Sequence, residues 1–425
     1  MIAETRLITV AFLVLSFFMG NALAYGVDEH NGPVHDQSAR TCAACHQQIY
    51  DQWRGSMHAN STALKDPIHD AMYRNVIGDP RKEGVTNNGK YPVCLNCHAP
   101  LAAMDKVTKL DAKPEYAEGV TCVVCHTMKE FKGIDGEGGK MQYGIKAYEF
   151  SDRLQGPSGR NLGPSGNRFA MTIPPDLRRR QAIDEPAPMG QGEQGGFHPY
   201  AMEGNALMMR TTEVCLGCHD RRNNFNKVAL CATGPEFKQT DTFNCQQCHM
   251  PVNNGYADHS MMGGHSQAMV ERAVILSLDI ARNENNIDAV VTLKNTLPHN
   301  APTGAPFRNM YIHISGLDAN GKVVWTNYKK HPMKEDPKSM LRLVLLDADG
   351  KPVPPPKATQ MGKDSRLAPL EERRIDYQLP ADNVTMVRAE LYYDLLLPPM
   401  KDRLMKNVPD TLKQPKVVAF AEKRL

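Results

Sequence analysis

The sequence predicts a two-part fold: a coil-rich region of short α-helices organised around covalently held groups, then an all-β, immunoglobulin-like sandwich. Two observations carry this. Cys-x-x-Cys-His occurs five times, at Cys42–His46, Cys94–His98, Cys122–His126, Cys215–His219 and Cys245–His249. Beyond His249 the chain has no cysteine and turns to short segments of alternating apolar and polar residues, the pattern of half-buried strands.

Each Cys-x-x-Cys-His is the attachment signature of a c-type haem. Two thiols add to the porphyrin vinyl groups, and the next residue delivers an imidazole to one face of the iron. The attachment residues are Cys42, Cys45, Cys94, Cys97, Cys122, Cys125, Cys215, Cys218, Cys245 and Cys248, which consume ten of the eleven cysteines and leave Cys231. The proximal ligands are His46, His98, His126, His219 and His249. A zinc site built from paired CxxC motifs needs no trailing histidine, and five motifs do not pair off. A disulfide framework explains neither the fixed gap nor the histidine. The expectation is a multihaem cytochrome c domain carrying five haem c groups.

The N-terminus is consistent with export. Arg6 precedes an apolar run from Leu7 to Met19, and Ala22-Leu23-Ala24 forms a small-x-small cleavage site. Residues 1–24 are therefore expected to be a signal peptide, with no membrane span after its removal and a periplasmic or cell-surface destination. The polypeptide's formal charge is +3, and a ferric bis-histidine haem with its two propionates adds about −1. That balance excludes nucleic acid as an expected partner. Arg178-Arg179-Arg180 reads as a solvated face or a propionate partner.

Residues 25–268 form the expected pentahaem domain and residues 269–425 the β-sandwich domain. Within the first, Val93-Cys94-Leu95-Asn96-Cys97-His98 repeats as Val214-Cys215-Leu216-Gly217-Cys218-His219, each followed by a second motif at nearly equal spacing. This suggests two haem-pair modules and one leading haem, with close spacing in sequence favouring closeness in space. Between the modules, Gly156-Pro157-Ser158-Gly159, its echo at Gly163–Gly166, and further prolines and glycines up to Gly196 read as irregular connection. Gln47–Arg54 is the best helix candidate. In the second part, strands are expected at Ala273–Ala281, Asp288–Thr296, Met310–Leu317, Lys322–Thr326, Leu341–Leu346, Arg373–Gln378, Val387–Leu395 and Val417–Phe420. Asp318-Ala319-Asn320-Gly321 is the clearest hairpin turn.

Distal ligands must come from the ten remaining histidines. The candidates are His58, His259, His265, His198 and His299, with His35 and His69 as reserves and His30, His313 and His331 read as ordinary. On a continuous helix His58 would lie about 18 Å along the axis from His46, so it is assigned to a different haem. His299 would staple the β-domain to the haem region. Gly263-Gly264, between His259 and His265, allows close backbone approach to a porphyrin. Met57, Met250, Met261 and Met262 are read as adaptable packing and Cys231 as a buried inert thiol.

Thr41-Cys42-Ala43-Ala44-Cys45-His46 followed by Trp53-Arg54-Gly55-Ser56-Met57-His58 resembles the opening of the cytochrome c-552/4-type multihaem family. That family includes tetrahaem electron carriers and, more distantly, extracellular cytochrome filament subunits. Glu118-Gly119-Val120-Thr121-Cys122, Cys245–Pro251, and the segment from Asn295 through His299 to Gly304 and Arg308 resemble further family elements. The resemblance implies bis-histidine haems in an electron-conducting array and supports His58 as a distal ligand. Five motifs depart from the tetrahaem members, so haem-by-haem correspondence does not carry over.

The leading function is electron transfer through closely spaced haems, including a role in extracellular electron transfer. The expected partners are redox proteins, other cytochromes first, with a homo-oligomer or filament as a further form. The alternative is an oxidoreductase in which one five-coordinate haem acts on a small nitrogen or sulfur compound. No Cys-x-x-Cys-Lys motif is present to mark such a haem. No catalytic residue is assigned.

Overall fold

The computed structural model describes residues 34–157, 198–237, 243–253, 255–403 and 408–425. The expected signal peptide, His30, the Arg178–Arg180 cluster and most of the Gly/Pro-rich connection lie outside them. The two ends of that connection are nevertheless side by side. Leu154–Gly156 pairs in parallel with Met202–Gly204.

The haem-motif region has short helices and two-stranded ribbons around an apolar cluster that includes Tyr73, Leu95, Leu110, Val124 and Tyr148. Its longest helix is Ala39–Arg54, which begins eight residues earlier than the predicted Gln47 start and contains the first motif. The early start has a tertiary cause. Ser38 caps the helix through Arg40 N, and Glu118 accepts hydrogen bonds from Ser38 Oγ (2.5 Å) and Ala39 N (2.9 Å). A carboxylate from far along the chain thus satisfies a free amide and complements the positive end of the helix dipole. The backbone leaves helical geometry at His46 (φ −115°, ψ 42°), and Gly55 closes the helix.

Glu118, Gly119 and Val120 act as one clamp. Val120 O accepts from Trp53 Nε1 (2.8 Å), and Val120 N donates to His58 O (2.9 Å). Gly119 sits at φ +76° with its Cα face so near His58 O that an added Cβ would lie 2.3 Å from it. A side chain at this position is excluded twice, by the left-handed backbone and by contact.

From Val274 onward the chain is β-rich. Glu372–Pro380, Asn286–Asn295 and Val274–Arg282 form one antiparallel sheet, in that order. Val323–Thr326, Asn309–Leu317, Met386–Asp394 and Lys416–Arg424 form the second, with Met340–Leu341 also pairing to Asn309–Leu317. In Asn286–Asn295 every second residue is buried, so Ile287, Ala289, Val291 and Leu293 face the core. Residues of both sheets share a single cluster that includes Leu278, Leu293, Ile312, Leu379 and Leu391. The predicted strand Leu341–Leu346 is split. Met340–Leu341 joins the second sheet, while Leu343–Leu346 pairs with Gln360–Asp364, a strand too polar to be read from alternation.

The two regions are fastened together at several points. Ile68, on helix Pro67–Val76, enters the β core, and Val228 packs with Leu343, Leu345 and Ala358. Asn224 Nδ2 donates to the carbonyls of Pro355 (3.0 Å) and Ala358 (2.7 Å). Glu236 and Arg366 form an ion pair of 2.6 Å with side chains only 8% and 10% exposed, and Thr303 Oγ1 donates to Glu236. Asp364 holds the other edge of Arg366 at 2.7 Å.

Glu236→Ala should destabilise the junction by about 2 kcal/mol, because one buried charged bond is lost while Asp364 still faces Arg366. A lowered denaturant midpoint would show it. Gly119→Ala should cost more than a surface substitution, by roughly 1–3 kcal/mol, and the same titration reads it.

Candidate haem-binding site

Each motif is wound as helix. The segments are Leu95–His98, Cys122–His126, Glu213–His219 and Cys245–His249, with the first motif inside Ala39–Arg54. Helical winding puts cysteines three apart on one face and the histidine beside them. Local sequence fixes some of these turns. Asn244 and Gln247 form a reciprocal capping box at the fifth motif. At the fourth, Tyr148 Oη accepts from Gly217 N (2.8 Å) and donates to Val214 O (3.0 Å). A Cβ on Gly217 would fall 2.2 Å from the Tyr148 ring, so the glycine inside this motif is a packing requirement.

Sulfur contacts show which attachment sites are neighbours. Cys42 lies against Cys122, Cys97 against Cys218, and Cys215 against Cys245, each close enough for one thiol to shift the proton affinity of the other. Attachment converts each S–H to C–S, so these contacts record proximity. The pairing follows the expected second module, where the fourth and fifth motifs touch. In the first module the contacts instead run across, from first to third motif and from second to fourth.

The imidazoles converge as well. His46 and His198 have ring centroids 6.4 Å apart, His126 and His259 6.4 Å, His58 and His219 5.9 Å, and His69 and His98 4.2 Å. Two imidazoles on opposite sides of one metal, each bonded at about 2.0–2.1 Å, hold their centroids roughly 6 Å apart. Three pairs match that span, and the His69–His98 pair is about 2 Å short of it. His299 is lowered in proton affinity by burial first and lies within electrostatic reach of His249.

A further hydrogen bond orients most of these rings. Nδ1 of His98 and His69 both face Ser61 O (3.1 and 2.8 Å), and Nδ1 of His126 faces Gln155 O (2.9 Å). Likewise His249 bonds Met262 O (2.7 Å), His198 Tyr200 O (2.8 Å), His259 Ala257 O (2.8 Å) and His299 Asn300 O (3.0 Å). Where a carbonyl is the partner, Nδ1 carries the proton and the neutral ring presents its Nε2 lone pair; Nδ1 of His198 also faces the Tyr200 N–H at 3.2 Å, which donates to it in the other tautomer. Burial supports the same protonation state. It pushes His58 down to about 3 and His219 down to about 4, and lowers His69, His98, His126, His259 and His299. A neutral imidazole is the form that binds metal. Donor set, spacing and tautomer all fit haem iron, and the ten motif cysteines fit covalent attachment.

The loop bearing His299 is held by Asn295, which is fully buried at the end of its strand. Its Nδ2 donates to His299 O (2.9 Å) and Ala368 O (2.7 Å), and its Oδ1 accepts from Leu297 N (3.0 Å).

Other candidates are placed differently. No motif imidazole stacks on His265 among the described residues. It is buried, pushed down to about 4, and lies near Arg308 and Lys416. His35 packs edge-on against Phe150. His313 bonds Thr326 through Nε2, and His331 caps helix Pro332–Glu335. Cys231 is raised by burial, which suits an inert thiol. His69, only a reserve in sequence, is brought to His98. Asp66 caps its helix, Pro67–Val76, a start that the Asp-Pro pair could have signalled, and the shared Ser61 carbonyl had no signal in the sequence.

The family described as "Cytochrome c554 and c-prime" matches residues 41–127. No curated protein matches the chain. Among solved structures, the penta-heme cytochrome c552 of Thermochromatium tepidum is 45% identical over 93% of this chain and 100% of its own, with a TM-score of 0.81. A structural-genomics target at 8% identity, covering 37% of this chain and 89% of its own, has a TM-score of 0.18. A β-glucosidase of Kluyveromyces marxianus at 11% identity, covering 36% of this chain and 13% of its own, has a TM-score of 0.13. Neither of these two carries an argument about fold. The match along nearly the whole of the first, together with the five attachment motifs, settles the family: the chain belongs to the multihaem c-type cytochromes.

Proposed function

We propose that this chain moves electrons through five bis-histidine haem c groups outside the cytoplasm. That it is a multihaem electron-transfer cytochrome with five covalent haems rests on the family and the motifs. The finer reading is carried by one observation: each motif histidine has a second imidazole close by. On this reading the axial pairs are His46/His198, His98/His69, His126/His259, His219/His58 and His249/His299.

Closed, six-coordinate irons suit electron transfer, because no position is left for a substrate and the ligands change little between oxidation states. Haem c supplies the reversible Fe(III)/Fe(II) couple. The chain's part is to hold the imidazoles neutral, aim Nε2, exclude water and set the local field. Attachment of haem c takes place outside the cytoplasm in bacteria, which agrees with the expected signal peptide. The redox partners are other electron-transfer proteins at the periplasm or cell surface, and a homo-oligomer or filament extends the same chemistry. The two β sheets with their common core are read as an immunoglobulin-like sandwich that supplies His299.

Low-temperature electron paramagnetic resonance of the oxidised holoprotein tests the ligation. The expected result is five low-spin ferric haems, with no prompt nitrosyl formation when the reduced protein meets nitric oxide. A high-spin signal matched by one haem that binds nitric oxide at once would instead establish an open iron and the oxidoreductase reading. His58→Ala should convert one haem to high spin while all five stay attached.

Asn295→Ala should cost about 2 kcal/mol through its unpaired buried carbonyls. It should also broaden the low-spin signal of the His249 haem, in the same spectra, by freeing the loop that carries His299.

A further inference from the structure

Arginine is placed in this fold by its partners. Arg366 faces Glu236 and Asp364, Arg373 faces Glu371, Arg221 faces Asp135, and Arg74 faces Asp70 and Asp79. Arg222 and Arg308 differ. Both are half-buried, yet neither guanidinium has a hydrogen bond or ion pair among the described residues. A guanidinium drawn partly out of water without a carboxylate is costly unless an anion meets it.

Their surroundings indicate which anion. Arg222 lies on the ribbon Arg221–Asn223, in register with Cys231. Its charge is felt at Cys94, Cys97, His98 and His69, the attachment and imidazole groups of the second motif. Arg308 belongs to the β region. It follows Gly304, whose built Cβ would stand 3.1 Å from its Nη1, and precedes strand Asn309–Leu317. Its charge is felt at His219 of the fourth motif, at His265, at Tyr393 and at the Asp66 carboxylate, which makes no ion pair or hydrogen bond with it. The Tyr393 hydroxyl is itself buried without a partner, and Gly264 lies against it. Cys231 feels both arginines, and the second and fourth motifs meet at Cys97 and Cys218. Two unpaired cations thus flank the contact between two haem sites, one from the haem-motif region and one from the β region.

We propose that Arg222 and Arg308 are positioning residues that pair with propionates of the second- and fourth-motif haems and hold both haems at raised potential. This rests on the bis-histidine reading of those two haems. A c-type haem brings two carboxylates and no other anion, and the guanidinium fork matches a carboxylate in two parallel bonds. Reduction lowers the charge at iron by one unit, so a fixed cation nearby favours the ferrous state. Arg308 also makes the fourth haem sensitive to the β region, since its side chain arrives with that region's first interface loop.

The test is a redox titration of holoprotein followed by optical and electron paramagnetic resonance spectra, with haem content measured by pyridine haemochrome. Arg308→Gln should lower the ferrous-to-ferric ratio of one low-spin haem about tenfold at fixed potential. Arg222→Gln should do the same to a different haem. Arg308→Lys, which keeps the charge, should stay within about threefold of wild type, and Arg388→Gln, an exposed ion-pair control with Glu422, should superimpose on it.

Glutamine variants with five low-spin haems and unshifted titrations would overturn the proposal while leaving the ligation reading intact. A high-spin signal in the wild-type protein would overturn the ligation reading itself. Should Arg308→Gln not accumulate with five haems, Arg222→Gln and Arg308→Lys decide. A lysine variant displaced as far as tenfold, or an unshifted Arg222→Gln, counts against the proposal.

Discussion

A buried imidazole whose Nδ1–H is tied to a backbone carbonyl is the interaction on which the rest of this structure depends. It fixes the tautomer and aims Nε2, while burial, acting against that hydrogen bond, lowers the proton affinity of His69, His98, His126, His259 and His299. The acceptors are the carbonyls of Ser61, Gln155, Tyr200, Ala257, Met262 and Asn300, drawn from segments scattered along the chain. Regular secondary structure consumes its own carbonyls. A chain that offers so many to side chains keeps much of its backbone in short turns and ribbons, which matches the short elements of the haem-motif region.

Coil at ligand positions has to be immobilised by other means. Glu118-Gly119-Val120 shows one: three consecutive residues cap the helix of the first motif, abut the His58 carbonyl and receive the Trp53 indole. Asn295 shows another, spending a fully buried side chain on the loop that carries His299. In both cases a few strong polar contacts replace a long element. The β region therefore does more than cover the haem-motif region. It contributes an imidazole, a guanidinium and the buried Glu236–Arg366 pair to the same junction.

What was legible in the sequence divides along the same line. The attachment motifs were plain because covalent chemistry fixes their spacing. Asn286–Asn295 was plain because burial alternates along it, and the hairpin at Asp318–Gly321 because of its turn residues. Which imidazole faces which was not, because the facing rings come from segments far apart in the chain, as His46 and His198, His126 and His259, or His58 and His219 do. His265 had the glycine-rich flank expected of a ligand and ends beside Arg308 and Lys416, whereas His69 had no such flank and ends at His98. The start of helix Ala39–Arg54 was invisible for the same reason, since Glu118 supplies the missing acceptor. Gln360–Asp364 escaped because a polar edge strand has no buried face to alternate against.

The sulfur contacts impose a last constraint on how charge can move. First touches third, second touches fourth and fourth touches fifth, so the order of neighbours in space is not the order of motifs in the chain. The fourth motif has two such partners, and its imidazole partner His58 also feels His219 and His249 together. A site with several neighbours controls traffic through its own potential more than any terminal site does. The features gathered there then follow one logic. Tyr148 and Gly217 lock the motif, a long-range loop supplies His58, and an unpaired arginine arrives from the β region beside it. Stiff attachment keeps the distances constant, and a fixed cation sets the level. An array built this way can be tuned at its junction without altering any ligand.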